Sequence, residues 1–169
     1  MKCAWGKFRE LLPILTQRGV SARLKGKIYK ACVQSVMVYG SETWAVRVED
    51  MRRLERAENM MCRWMCNVTL RNRKSSEELR GRLGVKCVRD VVRCGRLRWF
   101  GHVERKRADD CVSACRFLEV EGKRGRGRGR KTWNECVGDD LKMLGLNKEL
   151  SQDREMWRRA ISGKTSNPC

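Results

Sequence analysis

The chain has 169 residues, 41% of them hydrophobic, and carries 39 Lys and Arg against 20 Asp and Glu, for a formal net charge of +19. Its length allows one ordinary domain or two small ones, and its apolar content is high enough for the chain to bury a core. Because so large a positive charge repels itself unless a polyanion neutralises it, the composition favours nucleic acid, or an anionic membrane surface, as the partner.

The sequence lacks the signals of a secreted or membrane-spanning protein. Its first ten residues, MKCAWGKFRE, contain no apolar run of the kind found in signal peptides. No stretch approaches the roughly 20 apolar residues of a membrane span. We therefore expect an intracellular protein, nuclear or cytoplasmic and not secreted, whose ten cysteines stay reduced; a disulfide framework is the alternative.

Positive charge is concentrated in the middle of the chain. Residues 1–70 carry 13 basic and 6 acidic side chains, residues 71–131 carry 20 and 8, and residues 132–169 carry 6 and 6. The middle is therefore predicted to face the polyanion, and the C-terminal part is not.

The residue usage predicts an all-α chain, because Arg, Lys, Leu, Met and Glu are frequent and only two prolines occur. The first predicted helix covers residues 7–16 and is bent or split near Pro13. The second begins at Ser21, which can act as its N-cap, and ends at Gly40.

A third helix is predicted over residues 49–67, where apolar residues recur at spacings of three and four. These residues are Leu54, Ala57, Met61, Trp64 and Val68. Ser75 and Glu78 then form a capping-box pattern, which predicts a short helix that ends at Gly84.

A fifth helix is predicted over residues 86–103, and one of its faces is basic. The residues of this basic stripe, at i, i+4 and i+7, are Arg89, Arg93 and Arg96. Gly95 and Gly101 lower the helix propensity of the segment, so a bend is expected there.

A Gly/Arg-rich stretch, EGKRGRGRGRKTW, follows from Glu121 to Trp133. Its glycines disfavour a helix or strand and predict a flexible coil. Its cations are Lys123, Arg124, Arg126, Arg128, Arg130 and Lys131. Because guanidinium groups pair with phosphates, we expect these side chains to contact a nucleic-acid backbone without reading its sequence; a solvated linker is the alternative.

Two further helices are predicted after this stretch. Thr132 and Glu135 form a second capping-box pattern, which opens a helix that ends at Gly145. A last helix covers residues 149–161, and the C-terminal GKTSNPC is expected to be disordered.

A second basic stretch, GRLRWFGHVERKR, interleaves cations with Trp99 and Phe100. The cations that could contact phosphates here are Arg96, Arg98, Arg105, Lys106 and Arg107. Basic side chains among aromatic rings can bind single strands by stacking and phosphate contacts. Aromatic residues at helical spacing are more often core, so we expect a buried Trp99 with the arginines facing outward. The same burial is expected of Trp44, Trp64, Trp133 and Trp157.

Four segments, in this order along the chain, carry a resemblance to a known family. They are YGSETWAV with RRLERAENMMCRWM, then RLRWFGHVER, then EGKRGRGRGRKTWNECVGDDLKMLGL, then DREMWRR. Together, over roughly residues 6–159, they resemble the thumb and post-thumb region of non-LTR (LINE-type) retrotransposon endonuclease/reverse transcriptase polyproteins. The resemblance implies a grip on RNA, DNA or an RNA–DNA hybrid, in a fragment that lacks fingers, palm and endonuclease.

Catalytic and metal-binding patterns are weak throughout. The family's polymerase motif has an aromatic residue two positions before its paired aspartates. Arg107 stands there before Asp109–Asp110, and Val137 stands there before Asp139–Asp140. The candidate zinc ligands are Cys94, His102, Cys111 and Cys115. Their spacing lacks the two tight pairs of a structural zinc site. We expect no enzymatic activity, no catalytic residue and no cofactor, with zinc as the alternative at those four residues.

On this interpretation the chain has five segments. They are a thumb-like helical segment (1–70), a basic helical segment (71–118), a Gly/Arg-rich linker (119–131), a C-terminal helical pair (132–163) and a tail (164–169). Two alternatives to nucleic-acid binding remain. The C-terminal pair, with zero net charge, could be a protein-interaction module, or the chain could be a decayed retrotransposon product with no selected function.

Overall fold

The computed structural model describes residues 2–107, 109–117, 129 and 131–163, and the regular structure in these ranges is entirely helical. The all-α prediction is therefore confirmed. The described residues form two units. The first comprises residues 2–40 and 48–92, and the second comprises residues 41–47 and 93–163. The predicted segment boundary at residue 70 falls inside the first unit, and the division between the units falls inside a helix.

The N-terminal helix is split where proline predicts it. Helix α1 spans Lys2–Glu10 and α2 spans Leu12–Thr16, with Pro13 in the first turn of α2. Proline is tolerated there because the amide it lacks would have no helical acceptor. Helix α1 begins five residues earlier than the sequence indicated.

The next helical stretch contains a π-helical turn that the sequence did not predict. Helix α3 spans Ala22–Ile28, the π-helical turn spans Tyr29–Gln34 and α4 spans Ser35–Met37. Ser21 caps α3, as predicted, because its hydroxyl accepts a hydrogen bond from the Leu24 amide. The chain leaves this stretch through Gly40, whose φ of 69° favours glycine.

The first unit also contains α5 (Val48–Met65), a 3₁₀ turn at Leu70–Asn72 and α6 (Ser76–Leu83). The predicted stripe on α5 is buried at Leu54, Ala57 and Met61. Helix α6 packs against both α3 and α5. The backbone of α6 meets α3 at Gly26, where a side chain would collide with the Leu83 carbonyl. Residues 76–83 thus pack within the first unit.

A buried carboxyl group connects three parts of the first unit. Glu58, on α5, accepts hydrogen bonds from the Gln34 side chain over 3.1 Å and from the Val88 amide over 2.9 Å. Burial raises the pKa of Glu58 to about 7, and these two hydrogen bonds oppose the rise. The buried hydroxyl of Tyr29 has no hydrogen-bond partner among the described residues. Glu58 thus connects α5 to the π-helical turn and to Val88.

The second unit is built on the C-terminal part of a long helix. Its helices are α7 (Val88–Glu104), α8 (Cys111–Phe117), α9 (Trp133–Leu144) and α10 (Arg154–Gly163), with 3₁₀ turns at Ser41–Thr43 and Lys148–Gln152. The division between the two units lies within α7, after Val92. The core consists of Leu97, Phe100, Val137, Leu141, Leu144, Trp157 and Ile161. The C-terminal helices thus bury most of their apolar residues against α7.

Helix α7 continues through both of its glycines, Gly95 and Gly101, without interruption. The reason for Gly101 is a close approach. A β-carbon placed at Gly101 would lie 2.6 Å from Cδ1 of Trp157, so only glycine leaves room for this ring. The indole nitrogen of Trp157 donates a hydrogen bond to the Leu97 carbonyl over 2.9 Å.

The predicted caps of α9 are confirmed. The Thr132 hydroxyl accepts from the Glu135 amide, and the Glu135 carboxylate accepts from the Thr132 amide, which completes the capping box. The helix ends at Gly145, with a φ of 55°. The last helix begins at Arg154, later than predicted, because residues 148–152 form a 3₁₀ turn. The predicted disorder of residues 164–169 lies outside the described residues.

Burial of the tryptophans agrees with the prediction only in part. Trp157 is buried, whereas Trp99 and Trp133 are half-buried. The prediction is wrong for Trp44 and Trp64, which expose 38% and 43% of their surface. Trp64 lies at the edge of the buried face of α5. Its ring lies beside the Trp5 and Phe8 rings, at centroid distances of 6.0 and 5.9 Å.

None of the described helices is both long and apolar enough to cross a membrane. The nine cysteines in the described ranges form no disulfide with one another.

Candidate nucleic-acid interface

The predicted phosphate contacts of the Gly/Arg-rich stretch fall mostly outside the described residues. Those outside are Lys123, Arg124, Arg126, Arg128 and Arg130. Lys131 is described, and its ammonium group lies 2.6 Å from the Asp139 carboxylate. This contact holds the pKa of Asp139 below its usual range. Lys131 therefore has an acidic neighbour with which a phosphate would compete.

The arginines of the basic stripe predicted on α7 lie next to different carboxylates. In the first unit, Arg89 donates two hydrogen bonds to Glu55, over 2.6 and 2.9 Å. A guanidinium paired in this bidentate way is already matched to a carboxylate. Arg89 is therefore a weaker candidate for phosphate contact than the sequence indicated.

Arg93 and Arg96 are buried in the second unit, which corrects the expectation that they face solvent. Only 8% and 5% of their surfaces are exposed. Both guanidinium groups face Asp140 on α9, with closest N···O distances of 3.7 and 3.5 Å. Burial raises the pKa of Asp140, and Arg96 and Arg93 oppose the rise. Since a phosphate cannot reach either arginine without unpacking α9, we remove both from the candidate surface.

The remaining predicted cations differ in exposure and pairing. Lys106 is paired with Asp110 over 2.7 Å, and the exposed Arg107 lies 3.2 Å from Asp109. Asp109 and Asp110 form one of the two aspartate pairs that the sequence analysis compares with the polymerase motif. Each of these carboxylates has a neighbouring cation, so the two aspartates form ion pairs at the surface.

Arg98 and Arg105 lie together at a cavity of about 710 Å³ in the second unit. The cavity is lined by Glu42, Thr43, Gly95, Arg98, Trp99, His102, Arg105, Arg154, Trp157, Arg158 and Ile161. Four arginines thus surround it against one carboxylate. The apolar residues Trp157 and Ile161 are buried, so they form its floor. Of the predicted phosphate contacts that the structure describes, Arg98 and Arg105 belong to this group.

The arginines of the cavity differ in how they are held. A guanidinium nitrogen of Arg105 donates a hydrogen bond to the Ser151 carbonyl, which fixes this side chain. Arg98 is exposed, and its guanidinium group lies 3.8 Å from the sulfur of Cys94. Arg154 and Arg158 are exposed and form no ion pair with any described residue. The guanidinium groups of Arg98, Arg154 and Arg158 can therefore bind an external anion.

An aromatic pair lies at the wall of the same cavity. The rings of Trp99 and His102, one turn apart on α7, have centroids 5.3 Å apart and are tilted by 35°. Trp99 is half-buried and His102 is exposed. Trp99 also lines a second cavity, of about 420 Å³, together with Val103, Val112 and Trp133. The wall thus offers aromatic surface next to the arginines.

Arg154 and Arg158 were missed because the sequence was divided by net charge. The net charge of residues 132–169 is zero, which predicts no phosphate contact in the C-terminal helices. In α10, however, Arg154 and Arg158 are four residues apart and share one face, beside the buried Trp157. Charge counted by helix face, and not by segment, would have found them.

The candidate zinc ligands and the second aspartate pair do not gather into a site. No group of three or more His, Cys, Asp or Glu side chains in the described ranges is placed to hold a metal ion. Asp139 is engaged by Lys131, and Asp140 by Arg93 and Arg96. His102 instead contacts Trp99 at the cavity wall.

Comparison of the chain with models of protein families, with curated proteins and with solved structures found no match.

Proposed function

We propose that this chain binds nucleic acid through phosphate contacts, as the non-catalytic C-terminal part of a LINE-type reverse transcriptase. Its ligand on this proposal is RNA, DNA or an RNA–DNA hybrid. It has no polymerase active site of its own, since the four motif segments correspond to the region that follows the palm in that family.

The observation that carries the proposal is the grouping of Arg98, Arg154 and Arg158 around one cavity. These side chains come from helices far apart in the sequence, yet they line the same cavity. Cations that line the same cavity, without a described carboxylate partner, repel one another unless an anion binds between them. Such repulsion is expected at a surface that serves to bind phosphates.

The Gly/Arg-rich stretch supports the same function from the sequence alone. In the sequence, its cations fall between the residues of α8 and those of α9, and both of these helices belong to the second unit. We propose that the stretch adds phosphate contacts to those of the cavity. Because binding of this kind releases counterions, its affinity falls steeply with salt.

The alternative of a protein-interaction module loses part of its basis. It rested on apolar residues of the C-terminal helical pair. Trp157, Leu141 and Leu144 are used in the core of the second unit, which leaves Met143 and Met156 as the large apolar side chains exposed on α9 and α10.

The proposal is tested by the binding of a labelled RNA hairpin and a DNA duplex over about 50 to 300 mM salt. Arg154→Gln/Arg158→Gln is compared with Arg9→Gln/Arg18→Gln. Arg9 and Arg18 are exposed, form no ion pair with any described residue and lie in the first unit. Both double variants remove two charges, so a difference between them reports position and not net charge.

A further inference from the structure

We infer that the cavity of the second unit receives an unstacked base of a single-stranded nucleic acid, with the adjoining phosphates on the surrounding arginines. The inference rests on the proposed function and adds to it the form of the ligand. It concerns the cavity lined by Trp99, His102, Arg98, Arg154 and Arg158.

The size of the cavity suits a nucleotide. Its volume of about 710 Å³ falls within the roughly 300–1,000 Å³ of small-ligand sites. Phosphates that only follow a surface need no cavity, since their contacts lie on the outside of a duplex. A cavity adds affinity only if a group leaves the backbone and enters it.

The aromatic and apolar lining residues suit the base of a nucleotide. Trp99 and His102 supply aromatic surface at the wall, and Trp157 and Ile161 supply an apolar floor. Base–aromatic stacking requires this kind of surface and is tolerant of sequence, because every base has a π-face. Trp99 does not belong to the buried core of the unit, so its ring has surface left for a ligand.

The charges are placed for the backbone on either side of that base. Arg98 lies on α7, and Arg154 and Arg158 lie on α10, so cations approach the cavity from two helices. A duplex keeps its bases stacked and paired, and extruding one costs free energy. The cavity therefore favours a single strand, or a frayed end, over a continuous duplex.

The test uses three ligands of about 12 nucleotides per strand: oligo-dT, an abasic single strand with the same number of phosphates, and a duplex. The intact chain is compared with Trp99→Leu and Trp99→Phe. Trp44→Leu is the matched control, because Trp44 is an exposed tryptophan of the same unit that does not line the cavity. Circular dichroism establishes that each variant is folded.

We expect the intact chain to bind oligo-dT about tenfold more tightly than the abasic strand, as one stacked base provides. Trp99→Leu should abolish that preference, Trp99→Phe should keep most of it and Trp44→Leu should leave it unchanged. Equal binding of oligo-dT and the abasic strand by the intact chain would overturn the inference and leave the proposed function standing. If none of the three ligands binds at low salt, the proposed function fails as well.

Discussion

The indole nitrogen of Trp157 donates a hydrogen bond to the Leu97 carbonyl over 2.9 Å, across the contact between α10 and α7. The same ring lies against the helix backbone at Gly101. This contact fixes α10, and with it Arg154 and Arg158, beside α7. The candidate interface therefore depends on a close approach that a single glycine permits.

The first prediction concerns that glycine. Gly101→Ala should lower the free energy of unfolding by about 1–3 kcal/mol, because the added methyl group collides with the Trp157 ring. Gly138→Ala is the matched control. Gly138 also lies in a helix of the second unit, but a β-carbon there meets nothing within 4 Å. This change should be neutral or stabilise by up to about 1 kcal/mol. Denaturant unfolding of both variants makes the comparison, and equal effects would contradict the account.

The second prediction concerns the buried charges of Arg93, Arg96 and Asp140. Asp140→Asn should cost about 3 kcal/mol of stability, because it removes the carboxylate that faces two buried guanidinium groups. The neighbouring Asp139→Asn should cost less than about 1 kcal/mol, since the Asp139 side chain is 59% exposed and pairs with Lys131 at the surface. Thermal or denaturant unfolding separates the two. Similar small losses would show that Arg93 and Arg96 are solvated and available to phosphate after all.

The third prediction concerns the pH dependence of the first unit. The pKa of Glu58 is about 7 in the folded chain, against an ordinary value of 4.5. Between these values the folded state holds a proton that the unfolded state has released. Stability therefore falls as pH rises from about 4.5 to 7, by about 1.4 kcal/mol for each unit of pKa difference at most. Glu58→Gln should remove this fall, because an amide does not titrate.

Unfolding free energies measured at several pH values between about 5 and 8 test this prediction. Arg80 lowers the pKa of Glu58 and Glu55 raises it, so neither of these two residues is substituted in the test. Glu77→Gln is the control, since Glu77 is an exposed carboxylate of the same unit. It should retain the wild-type pH profile. Parallel profiles for Glu58→Gln and the wild type would mean that Glu58 is charged throughout this range.

Where a capping residue sets the end of a helix, that end could be predicted from the local sequence. Ser21, Ser75 and Thr132 each cap a helix as predicted, because an N-cap depends on residues three positions away. Gly40, Gly84 and Gly145 end helical stretches for the same local reason, each with a positive φ.

The composition of the interface could not be predicted in this way. Whether Arg93 and Arg96 face solvent depends on Asp140, which a separate helix brings to them. Whether Arg154 and Arg158 join Arg98 depends on the docking of α10 on α7. Periodicity assigns a residue to a helix face, but the partner of that face is decided by packing between distant segments.

The central claim is that Arg154 and Arg158 contact phosphates, and a salt titration tests it most directly. Each phosphate contact adds about 0.7–0.9 to the slope of log affinity against log salt. Arg154→Gln/Arg158→Gln should therefore weaken binding of the RNA hairpin and lower the slope by about 1.4–1.8. Arg9→Gln/Arg18→Gln should retain nearly the wild-type slope. If the two double variants lose affinity and slope equally, only the net charge matters and the cavity is not the phosphate-binding surface.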